Sequence, residues 1–365
     1  MIRLARSRLA MRAPLQPLPV LPFSRVWPMQ GVQRFLFLAR EFAQLTKPGI
    51  LRLLVITQFC TMLVAAGGVP ELWTAIWATL GTVLICGSAN TINMVWDQDI
   101  DQLMGRTAHR PLVVGTIKPA HALIFSGVLG LSAVMILTFL VNPLAALMGI
   151  AGHAYYAVLY TMWLKRSTPQ NIVIGGAAGA FPVLIGWAAV TGELSITPWL
   201  IFAIVFFWTP PHFWALALYK DVEYGKANVP MMPNVRGHYT TKLQMLVYML
   251  LLLTTTLALG LTGDVGLIYL IAAVILGAGF TYCCIRVAFD KTDHWAKRTF
   301  AFSIIYLGLL FAAMSVDSLQ THHFTERHYL AAIERDADRM RAEQDIDEIR
   351  RLHNATEAPV WTATP

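Results

Sequence analysis

Nine apolar stretches of 18 to 24 residues, near positions 50–67, 72–95, 120–141, 144–163, 171–191, 197–218, 243–262, 265–287 and 299–319, constrain this chain more than anything else in it. Each is long enough to cross about 30 Å of hydrocarbon as a helix, and in lipid only helices or closed barrels satisfy every backbone polar group. With 56% hydrophobic and 13% charged residues, the chain lacks the polar cover that one aqueous core would need. The expectation is an all-α polytopic membrane protein, a bundle of about nine transmembrane helices.

The few charges orient that bundle. The connections at 68–71, 142–143, 192–196 and 263–264 contain no Lys or Arg. The alternate connections hold Arg106, Arg110 and Lys118; Lys165 and Arg166; Lys220, Lys226, Arg236 and Lys242; and Lys291, Lys297 and Arg298. Basic residues beside spans stay on the cytoplasmic side, so the N-terminus is expected inside and, after an odd number of spans, the C-terminus outside. The domain organisation follows: a basic cytoplasmic tail over 1–48, a transmembrane domain over 49–320, and a polar, partly helical tail over 321–365. The Arg-rich start, broken by Pro14, Pro17, Pro19 and Pro22 and offering no clean amphipathic helix, reads as a bacterial tail, with a mitochondrial presequence as the second reading. The membrane is then the inner (plasma) membrane of a bacterium or, alternatively, the mitochondrial inner membrane. Cys60, Cys86 and the adjacent Cys283 and Cys284 suit neither a disulfide framework nor a zinc site.

The acids are not scattered. Asn93, Asp97 and Asp101 recur every fourth residue, which on a helix lines one face and converges three oxygen-bearing side chains. Such a row has no apolar packing role, and its repulsion is relieved by a hard divalent cation, Mg2+ above all. Arg106 and Arg110 follow, able to grip phosphate oxygens, so the segment reads as a diphosphate site. An EF-hand reading of Asp97, Asp99 and Asp101 fails, because Gln102 stands where the loop needs glycine. A second patch after the sixth span sets Asp221 and Glu223, candidate metal ligands, among Lys220 and Lys226, candidate diphosphate contacts. Lys165 and Arg166 serve equally as phosphate contacts or as positive-inside anchors.

Other polar residues are more ambiguous. His212, at an expected break made by Pro210 and Pro211, suits either a ligand contact or a satisfied intramembrane histidine, and His153 reads as structural. Phe206, Phe207, Trp208, Phe213 and Trp214 surround that break and serve either a pocket or helix packing. Gly175, Gly176, Gly179 and Gly186 predict close helix contacts.

The row Asn93, Asp97, Asp101, followed by Arg106, Thr107, Arg110 and Pro111, resembles the NxxxDxxxD motif of the UbiA-type intramembrane prenyltransferases. The resemblance covers about residues 42–318 and includes LTKPGI at 45–50, TPQNIVIGGAAGAFPVLIGWAAVTG at 168–192, WTPPHFWALAL at 208–218 and NVPMMP at 228–233. The middle two segments are similar to the branch of that family that farnesylates heme. The resemblance implies a Mg2+-dependent transfer from farnesyl diphosphate to heme B, with Asp97, Asp101, Arg106 and Arg110 as catalytic residues and Asn93, Lys165, Arg166, Lys220 and Lys226 on the diphosphate. It implies metal ligation by Asn93, Asp97, Asp101 and the second patch, a heme contact for His212 if that residue serves a ligand, and as partners membrane lipid and a downstream heme A synthase or terminal oxidase, with no nucleic acid. One departure stands out: the family's second DxxxD is absent, since Asp221 is followed at the fourth position by Gly225, which leaves open which of Asp221 and Glu223 binds metal. The alternatives are a quinone or other aromatic acceptor and, from another class, a cation or solute transporter. A transporter fits less well, because the acids sit at span ends and no repeat is visible.

Overall fold

A computed structural model describes residues 31–226 and 229–320, the side chains of Glu223 and Lys226 excepted. The expected tail before residue 31 and the C-terminal tail at 321–365 lie outside the described residues, as do the Glu223 and Lys226 side chains. Among the described residues nine helices are long and apolar enough to cross a membrane. An amphipathic helix, α1 (Val32–Leu45), comes first. The spans are α2 (Pro48–Ala65), α3 (Leu72–Trp96), α4 (Pro119–Val141), α5 (Pro143–Ser167), α6 (Asn171–Thr191), α7 (Ile196–Tyr219), α8 (Met232–Leu259), α9 (Leu267–Phe289) and α10 (His294–Gln320).

Burial orders these helices. Within their most apolar windows, 72% of α6 and 61% of α7 are buried, against 17% of α4, so α6 and α7 form the central wall and α4 faces lipid. Small residues let α6 come close: a Cβ on Gly175 would stand 2.3 Å from the Tyr160 ring, and one on Gly186 would stand 2.8 Å from the Gln58 carbonyl. Gly176 is likewise tight against Thr209, whereas Gly179 has nothing within 4 Å and opens into a cavity instead.

Three local features depart from the sequence reading. The 1–48 segment, expected to lack an amphipathic helix, contains α1, which exposes Val32, Phe35 and Leu36 and packs Phe42 edge-on against Phe125 at 5.1 Å. Its Glu41 accepts a hydrogen bond from Thr116 Oγ1 at 2.6 Å, tying α1 to the turn before α4. Second, Pro210 and Pro211 do not break α7; the helix runs through them, and Val205, Trp208, Thr209 and His212 on that stretch line a cavity. Third, α5 widens to i→i+5 hydrogen bonding over Tyr155–Leu164, a form that concentrates at functional sites.

The outer ends are tied by polar side chains. Asp317 at the end of α10 accepts from the Gly266 and Tyr269 amides at 2.5 and 3.1 Å, capping α9, and Ser318 donates to the Leu63 carbonyl at 3.0 Å. On the other side, Asp290 accepts from the Thr292 and Trp295 amides, both at 2.8 Å, and shapes the turn into α10. The Trp295 and Thr292 amides hold the Asp290 carboxyl down at about 2. All four cysteines are free thiols.

Candidate active site

The sequence places Asn93 near the cytoplasmic end of α3, and the backbone does the rest. α3 stops at Trp96; Asp97 leaves the regular helix at φ −94° and ψ 8°, and a short helix Gln98–Asp101 follows. The amides of Asp97 and Asp101 still bond the carbonyls four residues back, at 3.0 and 2.8 Å, so the three side chains stay on one side despite the kink. All three are buried.

Each of the two aspartates has a basic partner on its Oδ2. Arg110 Nη1 donates to Asp101 Oδ2 at 2.5 Å, and Lys165 Nζ donates to Asp97 Oδ2. Asn93 Nδ2 donates to Asp97 Oδ2 at 2.8 Å and to Thr161 Oγ1 at 3.0 Å, while its Oδ1 accepts from Lys47 Nζ. The widened turn of α5 supplies Tyr156, Tyr160, Thr161 and Lys165 to the site. The rings of Tyr156 and Tyr160 stack at 5.7 Å, and Gly175 leaves room for the second of them.

This cluster closes the charged end of a cavity of about 490 Å³, within the range of small-molecule sites, with Asp97 set behind the lining, against Lys165 and Asn93. Lys47, Asn93, Asp101, Arg106, Arg110 and Lys165 line that end, and Ile85, Leu54, Phe181 and Ile185 line the apolar remainder. Lys47, Arg106, Arg110 and Lys165 outnumber Asp97 and Asp101 at this end, which favours an anion. Arg106 also donates to Tyr224 Oη at 3.2 Å and lies over its ring, joining the loop after α3 to that after α7.

Asp97 Oδ1 is buried without a hydrogen bond, with the Arg166 guanidinium 3.6 Å away. Among the described residues no three His, Cys, Asp or Glu side chains group to hold a metal. The oxygen donors are instead two aspartates and the Asn93 amide, a hard set that fits Mg2+ and leaves positions for phosphate oxygens.

Other expected contacts lie elsewhere. Arg166 does not line the cavity; its guanidinium is held on Asp99 at 2.7 and 2.8 Å and on the Trp96 carbonyl at 2.7 Å, which keeps the Asp99 carboxyl below its ordinary range. Asp221 does not line it either: its carboxylate accepts from the Val222 amide at 2.6 Å and from His238 at 3.1 Å. Lys220 is also outside the lining. Of the aromatics, Trp208 and Phe213 face the cavity while Trp214 is buried in the core. His212 lines the cavity between Trp208 and Phe300, and His153 lines it too, bonded to Ser88 Oγ at 3.0 Å.

Lys47 is the principal residue that sequence reasoning missed. It is the one non-glycine with positive φ among the described residues (φ 55°), and it turns its side chain from the start of α2 onto Asn93 and, at 3.5 Å, Tyr156 Oη. Burial, then the neighbouring Arg110 and Lys165, push its ammonium down to about 7 against the pull of Asp97 and Asp101.

The sequence profile of the UbiA prenyltransferase family matches residues 53–314. A protein from Symbiobacterium thermophilum named protoheme IX farnesyltransferase is 49% identical over 281 residues, which cover 76% of this chain and 94% of that one. Among solved structures, a digeranylgeranylglyceryl phosphate synthase superposes with a TM-score of 0.68 at 18% identity, covering 77% of this chain and 99% of that chain. A UbiA homolog from Archaeoglobus fulgidus bound to GPP and Mg2+ gives 0.55 at 15% identity, covering 75% and 99%. At these identities the two structures speak for the fold.

Proposed function

The chain belongs to the UbiA prenyltransferase family, and from that premise we propose that it transfers the farnesyl group of farnesyl diphosphate to a vinyl group of heme B, making heme O for terminal oxidases. The observation that carries the reading is one cavity whose cationic, carboxylate-bearing end is continuous with an apolar interior. A prenyl diphosphate has that same division.

Asn93, Asp97 and Asp101 would hold Mg2+, whose chemistry there is to neutralise the leaving diphosphate. Lys47, Arg106, Arg110 and Lys165 grip phosphate oxygens by charge-assisted hydrogen bonds and spread the negative charge that departs with them. That stabilisation lets the allylic carbon–oxygen bond ionise, its electron pair leaving on the diphosphate. Leu54, Ile85, Phe181 and Ile185 keep water from the farnesyl cation until a heme vinyl carbon has attacked it. Water then captures the resulting cation and releases a proton, leaving a hydroxyethylfarnesyl group. Trp208, His212 and Phe213 offer the acceptor its contact surface. We place the protein in the plasma membrane of a bacterium with the site toward the cytoplasm, and its product would pass to a heme A synthase or an oxidase.

The test is purified protein in detergent with heme B, farnesyl diphosphate and Mg2+, read by mass spectrometry. Heme O is expected, with turnover lost on chelation and restored by Mg2+. No heme product, with prenylation of a quinone precursor in its place, overturns the acceptor assignment.

A further inference from the structure

Ser303 determines which nitrogen of His212 carries the proton. A serine hydroxyl has one hydrogen, and Ser303 donates it to the Phe300 carbonyl at 2.6 Å. His212 Nδ1 lies 2.6 Å from that same hydroxyl oxygen, so in this contact the ring must be the donor. Nδ1 therefore holds the hydrogen, and the neutral imidazole keeps a bare lone pair on Nε2. A second proton would put an unpaired charge in an aromatic wall where His212 is only 7% exposed.

Everything around the ring fixes its direction. Trp208 stacks on it at 4.3 Å and Phe300 at 4.6 Å, and Phe213 meets it edge-on at 5.0 Å. Trp208 is itself anchored, its Nε1 donating to the Ser303 carbonyl at 2.8 Å. Ser303, fully buried on α10, thus holds both the imidazole and the ring stacked on it. Nε2 has no hydrogen-bond partner among the described residues, and His212 lines the cavity. An unprotonated nitrogen cannot donate to an acceptor's carboxylates; it can accept, or give its lone pair to a metal.

We propose that His212 Nε2 is the axial ligand to the iron of the porphyrin acceptor, and that Ser303 is a positioning residue that fixes its tautomer and ring plane. The proposal rests on the heme reading above. Ligation adds no redox step: the lone pair fills one axial position, and the porphyrin plane is set perpendicular to the iron–nitrogen bond. The vinyl edge is thereby held at a constant height relative to the diphosphate end.

The test is a titration of the full-length protein in detergent with ferric heme B, read by the Soret band and by electron paramagnetic resonance, beside a titration with iron-free protoporphyrin IX. Wild type is expected to show an imidazole-ligated iron that His212→Ala loses and added imidazole restores. Ser303→Ala is expected to bind heme about tenfold or more weakly, the usual cost of losing a partner behind a metal ligand, while binding the iron-free porphyrin as wild type does. Ser303→Thr, which keeps the hydroxyl, is expected to retain the wild-type spectrum. A wild-type spectrum in His212→Ala overturns the ligand. Equal weakening of both porphyrins in Ser303→Ala, or no change in either, overturns the positioning role. If wild type makes heme O while His212→Ala keeps its spectrum, this inference fails alone; if wild type neither binds nor prenylates heme, the functional reading fails with it.

Discussion

Replacing Lys165 by methionine removes one cation from a carboxylate that has no access to water. Asp97 is 1% exposed at its side chain and Lys165 is 19% exposed. Breaking such a pair from one side costs about 3–5 kcal/mol, because the remaining charge stays buried. Asn93 still donates to the same oxygen, and Arg166 stands 3.6 Å from the other, which argues for the lower end, about 3 kcal/mol. In a chain longer than 250 residues that is a fall of about 6 °C or less in the apparent melting temperature. Thermal unfolding in detergent, followed by intrinsic fluorescence, reads it directly. The double variant Asp97→Asn with Lys165→Met removes both charges, and about 2 kcal/mol of the loss should return, while turnover stays abolished because both groups serve the diphosphate. If the double variant melts as low as the single one, the pair is not what holds this end of the cavity together and the charge argument is wrong.

Three further outcomes are expected. Gly175→Ala drives a Cβ to within 2.3 Å of the Tyr160 ring; the overpacking should cost about 1–3 kcal/mol and raise the KM for farnesyl diphosphate by tilting the tyrosine pair beside Lys47. Asp317→Ala strips the cap from α9 and should lower stability by about 1–2 kcal/mol with unchanged kcat, since it lies at the opposite end of the bundle; a large kcat loss would refute the separation. Asp290→Asn should lower the melting temperature at pH 7. A carboxyl held down at about 2 stabilises the fold above its unfolded value near pH 4, about the free aspartate value, and loses that contribution as pH falls toward 2, so the gap between variant and wild type should close there.

The spans were legible because hydropathy and the alternation of basic loops are two independent signals, and they agree. The carboxylate row was legible because Asp97 and Asp101 have no apolar use. Lys47 was not, since a lysine before a span reads as an anchor, and only its left-handed backbone turns it inward. Arg166 is the opposite case: of its two readings, phosphate contact or positive-inside anchor, the structure shows its guanidinium on Asp99 and outside the cavity lining. Tyr156 and Tyr160 were hidden because a period of 3.6 residues does not describe the widened turn that brings them together. α1 was overlooked because the proline-rich stretch before it dominates the composition of the first 48 residues.

That widened turn has another consequence. The facing of Lys165 depends on how many residues separate it from Ala154, as well as on their identity. Deleting one residue between them would turn Lys165 around α5 and off Asp97, with every polar group still in the chain. The site therefore stores part of its geometry as a count of backbone units. A scan of substitutions passes over such information, and a one-residue deletion exposes it.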